Sequence, residues 1–269
     1  VKILVLVKEM PRDEATVSFS NLVARATRSA VTLLHVTLSE ADQPAGESTL
    51  DRARKMLPDV PVDTRLRQGG TVGRILDEIR ERDYDLVIVG ARQGVNPMRH
   101  SLGSVARAIF RHVSISVLVV NQAREGLERL LICAGGIGAV EPVIERGARL
   151  AQAANAQTTL LHVASPAPSM YTGLTEIEEP LSELLQTDTP IARYLRRGAE
   201  TLADLGVEAA LQLRRGVASN EILREAAKGD YDLIAIGASA TKGPLTAWLL
   251  GDVTQQVVDH APCPVLVVK

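Results

Sequence analysis

Apolar residues fall along this chain in short runs rich in Val, Ile and Leu, separated by stretches whose apolar positions recur every three or four residues. In the first half the runs lie at 2–7, 31–36, 62–67, 85–90 and 115–120, and their length and β-branched content predict strands. Between them Val72, Ile75, Leu76 and Ile79 share one helical face, and Val105, Ala108 and Ile109 repeat the spacing. Such stripes predict amphipathic helices packed on a core. Strand alternating with helix predicts a parallel sheet with right-handed crossovers, and strands apolar on both faces fit a sheet covered on both sides. In such sheets ligands sit beyond the carboxyl ends of the strands, where the strand order reverses.

The whole pattern occurs twice. Thr32–Val36, reading Thr-Leu-Leu-His-Val, recurs 127 residues later as Thr159–Val163, and Lys2–Val7 aligns with Arg129–Ala134 at the same offset. Ile75, Leu76 and Asp83–Leu86 match Ile222, Leu223 and Asp230–Leu233 at an offset of 147, and Val117–Val120 matches Val265–Val268 at 148. Five blocks in one order define two copies of a single supersecondary unit. We expect domains at 1–124 and 125–269, the second with about twenty extra residues near 164–190. Glu176, Glu178, Glu179, Glu183 and Asp188 make that segment acidic, and Ile191, Leu195, Leu202 and Leu205 then recur at helical spacing. An acidic excursion followed by an amphipathic helix is predicted. The fold class expected is α/β: two tandem Rossmann-like domains, each a five-stranded parallel sheet with helices on both faces.

Charge narrows the partners. Thirty Lys and Arg against 32 Asp and Glu leave a net charge of −2 over 269 residues, without the basic excess that nucleic acid binding draws on. No apolar run reaches the ~20 residues of a membrane span. The opening strand is cut short by Lys8, Glu9 and Pro11, unlike a secretory signal. A soluble, cytoplasmic chain with no nucleic acid or membrane partner is expected. Cys133 and Cys263 stand apart without ligand spacing and are expected to be buried. His35 and His162 end the second strands and are expected to bond neighbouring backbone, and His112 and His260 read as structural. No nucleophile-base arrangement or carboxylate pair recurs between the copies, so demanding catalysis is not expected. Slow ATP hydrolysis stays open.

The chemistry, if any, gathers in the loop after the fourth strand of copy one. Gly90 and Gly94 open that loop, Arg92 and Arg99 add positive charge, and Gly103-Ser104 lead into the next helix. Glycines admit a phosphate to the backbone and a helix start offers unpaired N–H groups, which makes a cradle for an anion. Gly and Ser in these places also describe an ordinary strand-to-helix turn with a serine N-cap.

The segment from Asp85–Gly90 through Gly103-Ser104 to Val117–Val120 resembles the universal stress protein signature, Gly-x2-Gly-x9-Gly-Ser/Thr followed by a terminal strand. The resemblance covers nearly the whole chain, once per copy. It implies an adenine nucleotide alpha hydrolase-like fold, with the two copies paired about a pseudo-two-fold through strands 115–120 and 265–268 as an intramolecular pseudo-dimer. Further homodimerisation is left open. It also implies ATP as ligand, Mg2+ entering only with the nucleotide, and Gly90, Gly103 and Ser104 at the phosphates. Gly94 is displaced by one place from the family's middle glycine, and Val36 matches the apolar residue that helps enclose adenine. Lys8 stands where the family has an aspartate. In copy two Gly237 and Gly251 keep the frame, but Asp252 replaces the hydroxyl residue and Gly135-Gly136 the aspartate. Three readings follow: a stress-response or signalling protein binding an adenine nucleotide in copy one, a nucleotide-free module recognising an unidentified protein partner, or, against the missing acids, an ATP hydrolase or pyrophosphatase.

Overall fold

The computed structural model describes residues 1–93, 100–122, 124–135, 141–164, 181–238 and 251–269. The first half runs β1 (Lys2–Leu6), α1 (Glu14–Thr27), β2 (Ala30–Thr37), α2 (Gln43–Lys55), β3 (Val62–Gln68), α3 (Thr71–Glu81), β4 (Leu86–Gly90), a short β5 (Arg92–Gln93) and β6 (His100–Ser101), α4 (Ser104–His112) and β7 (Ser116–Val120). The second runs β8 (Arg129–Ala134), α5 (Glu141–Ala154), β9 (Gln157–Ala164), α6 (Leu181–Leu184), α7 (Pro190–Asp204), β10 (Ala209–Arg215), α8 (Ala218–Gly229), β11 (Leu233–Gly237), α9 (Asp252–His260) and β12 (Val265–Val268). The five strands expected in copy one are all present. The pair β5 and β6 was not legible in the apolar pattern, because two-residue strands have no periodicity to read.

Ten strands form one sheet in the order β10-β9-β8-β11-β12-β7-β4-β1-β2-β3. Within each half all pairings of this sheet are parallel, and β5 and β6 form a separate antiparallel pair. Where the halves meet, β12 runs antiparallel to β7, pairing Val265 with Val119, Leu266 with Leu118 and Val267 with Val117. Leu118 and Leu266 are repeat equivalents, so a pseudo-two-fold passes between them, as the resemblance implied. Both strands are buried along their whole length.

Strand side chains alternate between two cores that run through both halves. Ile3, Val5, Leu33, Leu118 and Leu130 meet α1, α2, α5 and α7 on one face. Leu4, Leu34, Val117, Val119 and Leu131 meet α3, α4, α8 and α9 on the other. Ile75 and Leu76 are buried as the helical spacing predicted. α7 buries Leu195 and Leu202, the helix expected after the acidic excursion; Glu176, Glu178 and Glu179 lie outside the described residues. Even the turns repeat, since α1 and α5 are followed by left-handed residues 127 apart, Arg28 and Asn155. Among the described residues no helix is long and apolar enough to cross a membrane.

Polar groups hold the frame at two repeated places. In copy one the fully buried Glu78 accepts from Arg67 Nε at 2.8 Å and from the Tyr84 hydroxyl at 2.9 Å, and Arg67 also meets Glu81. Copy two repeats the trio with Arg214, Glu225 and Tyr231. Each trio ties an outermost strand, β3 or β10, to the helix that follows it. Burial, foremost, raises the Tyr84 and Tyr231 pKa values, which keeps both phenols neutral donors. The second place is the seam. Asn121 Nδ2 donates to Val258 O at 2.9 Å, closing the end of α9. Its equivalent, Lys269, donates through Nζ to Phe110 O and Val113 O, both at 2.6 Å, closing the end of α4, where a cation meets the negative end of the helix dipole.

Two outcomes are expected. Replacing Glu78 by Ala strands Arg67 and Tyr84, and breaking a buried pair costs about 3–5 kcal/mol. The lower end applies, because the Arg67 side chain is 27% exposed and keeps Glu81. Glu81→Ala, which removes an exposed partner, should cost under about 1 kcal/mol; urea unfolding of both variants checks the difference. Burial lowers the Lys269 pKa to about 8 from 10.5. Between these values the unfolded chain binds more protons than the native one, so this group makes stability rise as pH increases. Unfolding curves at pH 7.5 and 10 should therefore show wild type gaining on Lys269→Met; a constant difference would contradict the assignment.

Candidate functional site

Strand order reverses between β1 and β4 in copy one and between β8 and β11 in copy two, which opens a crevice at the carboxyl ends of each pair. In copy one, β1 gives way to a loop from Lys8 to Asp13. Both Lys8 and Glu9 are exposed, yet their backbone N–H groups are taken by Asp13 Oδ2 at 2.6 and 2.9 Å. Sequence reasoning missed Asp13: it lies five residues past the position where the resemblance seeks an acid, and only the loop's return brings it to the strand ends. The Lys8 position therefore lacks an acid, but the crevice does not.

Gly90 ends β4 directly against α1. A Cβ there would lie 2.6 Å from Thr16 Oγ1 and 3.6 Å from Asp13 Oδ1, so the close approach of α1 requires glycine. Beyond Gly90, Ala91 N–H donates to Val120 O, and the chain pairs Arg92 with Ser101 and Gln93 with His100 across β5 and β6. Gly94 and Arg99 lie outside the described residues. Leu102 N–H then donates to Asp259 Oδ1 at 3.2 Å, a contact from copy two into this loop, and Arg107 Nε donates to Leu102 O at 2.9 Å.

The helix start differs from the serine N-cap expected. Gly103 is the cap residue, with φ −62 and ψ 164, and Ser104 is the first helical residue. No side chain caps the end, and a Cβ on Gly103 would meet nothing within 4 Å. Protein packing does not require glycine here; its missing side chain leaves open space over the first-turn N–H groups, which have no intrahelical partner. Ser104 is exposed beside that space. Val36 is half-buried at the end of β2, packed against the α3 and α4 core. The structure thus sets Gly90 beside Asp13, and puts Gly103 and Ser104 at the uncapped start of α4.

Copy two keeps the frame and changes the charge. Ala238 N–H donates to Val268 O as Ala91 does to Val120 O, and Gly251 caps α9 as Gly103 caps α4. Asp252 then places an exposed carboxylate at the helix start. Gly135 follows β8, and Gly136 lies outside the described residues. His35 and His162 meet backbone as expected, through Nδ1 to Val7 O at 3.0 Å and to Ala134 O at 2.9 Å. His162 also meets the ring edge of Tyr194, centroids 5.9 Å apart. The thiols of Cys133 and Cys263 are buried, and burial raises both pKa values, Cys263 to about 12. Neither is a thiolate at neutral pH.

Comparison with known proteins bears on the fold and the family. A universal stress protein of Methanocaldococcus jannaschii is 38% identical over 91 residues, 34% of this chain, and the match spans about half of that relative, 52%. Universal stress protein YxiE of Bacillus subtilis is 26% identical over 146 residues, covering 52% of this chain and 98% of its own. Among solved structures, a universal stress protein from Archaeoglobus fulgidus superposes with a TM-score of 0.74 at 16% identity, covering 99% of this chain and 98% of its own. The cytoplasmic domain of a prokaryotic cation chloride cotransporter superposes at 0.57 with 14% identity, covering 99% and 94%. These two likenesses concern the fold alone. The universal stress protein family matches twice, over residues 2–121 and 126–269, and the chain belongs to it.

Proposed function

We propose that this protein is a stress-response or signalling protein that binds an adenine nucleotide, ATP with its Mg2+, in the copy-one crevice, with copy two as its pseudo-symmetric partner. The observation that carries the reading is the open space at Gly103 over an uncapped helix start, with Ser104 exposed beside it. Unpaired N–H groups at the positive end of a helix suit a phosphate, and the absent Cβ leaves room for one. In this reading Gly90, Gly94 and Arg92 belong to the same loop, Lys8 reaches toward the phosphates, and Val36 lies along the base. Bound magnesium would screen the phosphate charge from Asp13 and Asp259. Copy two does not bind, because Asp252 would oppose the ligand's charge where Ser104 donates to it. The protein works through occupancy of the crevice.

One observation favours the rival, a nucleotide-free module for a protein partner: Asp13 already satisfies the N–H groups of Lys8 and Glu9 that an anion would otherwise seek. Titration calorimetry with ATP and magnesium separates the two. One site per chain is expected in the wild type. In Ser104→Asp the new carboxylate should weaken binding about 5–150-fold, corresponding to ~1–3 kcal/mol. The ligand-free melting temperature should hardly move, since an acid in the first helical turn suits the dipole. Two equivalent sites would refute the asymmetry, undiminished binding by Ser104→Asp would move the cradle elsewhere, and no binding at all would establish the rival.

A further inference from the structure

The repeat allows each surface of one copy to be compared with its counterpart in the other, and one place differs in an informative way. At the amino ends of β4 and β7, the opposite end of the sheet from the crevice, copy one has a cleft of about 210 Å³. Its lining includes Arg80, Asp83, Tyr84, His112, Ser114 and Ile115. The counterparts of Asp83, Ser114 and Ile115 are Asp230, Pro262 and Cys263. There the space is taken by a side chain of the segment between the halves. Arg124 Nη1 donates to Asp230 Oδ1 at 2.7 Å and Nη2 to Pro262 O at 3.3 Å, with only 21% of the side chain exposed. Arg124 is also the group that offsets the rise in the Cys263 pKa, which places its charge beside that residue.

Copy one lines its cleft with the corresponding groups, the Asp83 carboxylate and the Ser114 carbonyl, on a backbone that is left-handed at Asp230 but not at Asp83, and among the described residues neither receives a hydrogen bond. In copy two such a carboxylate and carbonyl take two arms of one guanidinium, a fork that a compact ammonium fills less well. Copy one adds a feature that copy two lacks. Arg80, exposed and without an ion pair among the described residues, stands where copy two has Ala227. Arg82 is engaged with Glu78 at 3.3 Å and contributes less net charge. The cleft therefore offers an acceptor pair for a cation and, across it, a cation for an anion. Its volume lies below the ~300 Å³ at which ordinary ligand pockets begin, which restricts the occupant to one small group.

We propose that this cleft binds an arginine unit, its guanidinium on Asp83 and the Ser114 carbonyl and its carboxylate toward Arg80. The unit is supplied either by free arginine or by a peptide ending in arginine. The site is separate from the nucleotide crevice and does not depend on it.

The test is titration of the full chain, followed by chemical shifts of Tyr84 and His112, with L-arginine, agmatine, citrulline and the tripeptide Gly-Gly-Arg. Arginine is expected to saturate one site and citrulline, which lacks the charge, to bind at least about tenfold more weakly. Asp83→Asn, at an exposed position that leaves the fold intact by circular dichroism, should weaken arginine about 10-fold or more. Arg80→Ala should weaken arginine but not agmatine, which has no carboxylate. Arg124→Ala should open the copy-two cleft and add a second agmatine site. Saturation by the tripeptide alone assigns the site to a peptide, and saturation by arginine alone to the free amino acid. Equal binding of citrulline and arginine, indifference to Asp83→Asn, a folded Arg124→Ala with no added agmatine site, or absence of binding by every guanidinium probe overturns the proposal.

Discussion

The antiparallel pairing of β7 with β12 is the constraint on which the rest of the molecule depends. Both strands are buried throughout, so in either half alone each would be an apolar edge with unpaired backbone groups, a template for aggregation. Pairing them joins two five-stranded sheets into one and merges the cores on both faces. The outer edges of the joined sheet fall to β3 and β10, which are partly exposed and carry charge: Asp63, Arg65 and Arg67 on one, Arg214 and Arg215 on the other. Because both halves are on one chain, the seam forms at high effective concentration and needs no second molecule.

Once the seam is secured by backbone pairing and apolar filling, residues at the strand ends are free to differ between copies. The frame around each crevice is equivalent: a strand-end histidine held by backbone, a glycine at the end of the fourth strand, a glycine capping the next helix. What differs is where negative charge sits. Copy one holds its acid at Asp13, turned inward to the loop that precedes α1, and leaves the start of α4 open. Copy two places Asp252 at the start of α9 itself. An acid there stabilises the helix through its dipole, so copy two can carry a carboxylate at this helix start with its folding intact.

The repeat, the strand positions and the terminal pairing were legible because each rests on periodicity over several residues, which survives variation at single positions. The helix cap was misread by one place. Gly103 and Ser104 are both acceptable caps, and choosing between them depends on φ and ψ, which composition does not encode. Gly90 was legible as a glycine but not in its reason, since the approach of Thr16 depends on how α1 lies across the sheet. The Arg67, Glu78 and Tyr84 trio was missed although it recurs at a fixed offset of 147 in Arg214, Glu225 and Tyr231. Charged positions in an amphipathic helix are read as solvent-facing, and only the partner on the neighbouring strand makes a buried glutamate tolerable.

The position of Arg124 follows from the same geometry. The segment between β7 and β8 must leave the seam and return to start the second sheet, so it passes the amino ends of β11 and β12, where Asp230 and the Pro262 carbonyl wait. An arginine in that segment bridges two elements of copy two from a chain that has just left copy one, and it holds the approach to Leu127, which is buried in the shared core. The inter-half segment spends its one arginine on copy two, so the corresponding positions of copy one, Asp83 and Ser114, receive no hydrogen bond from it.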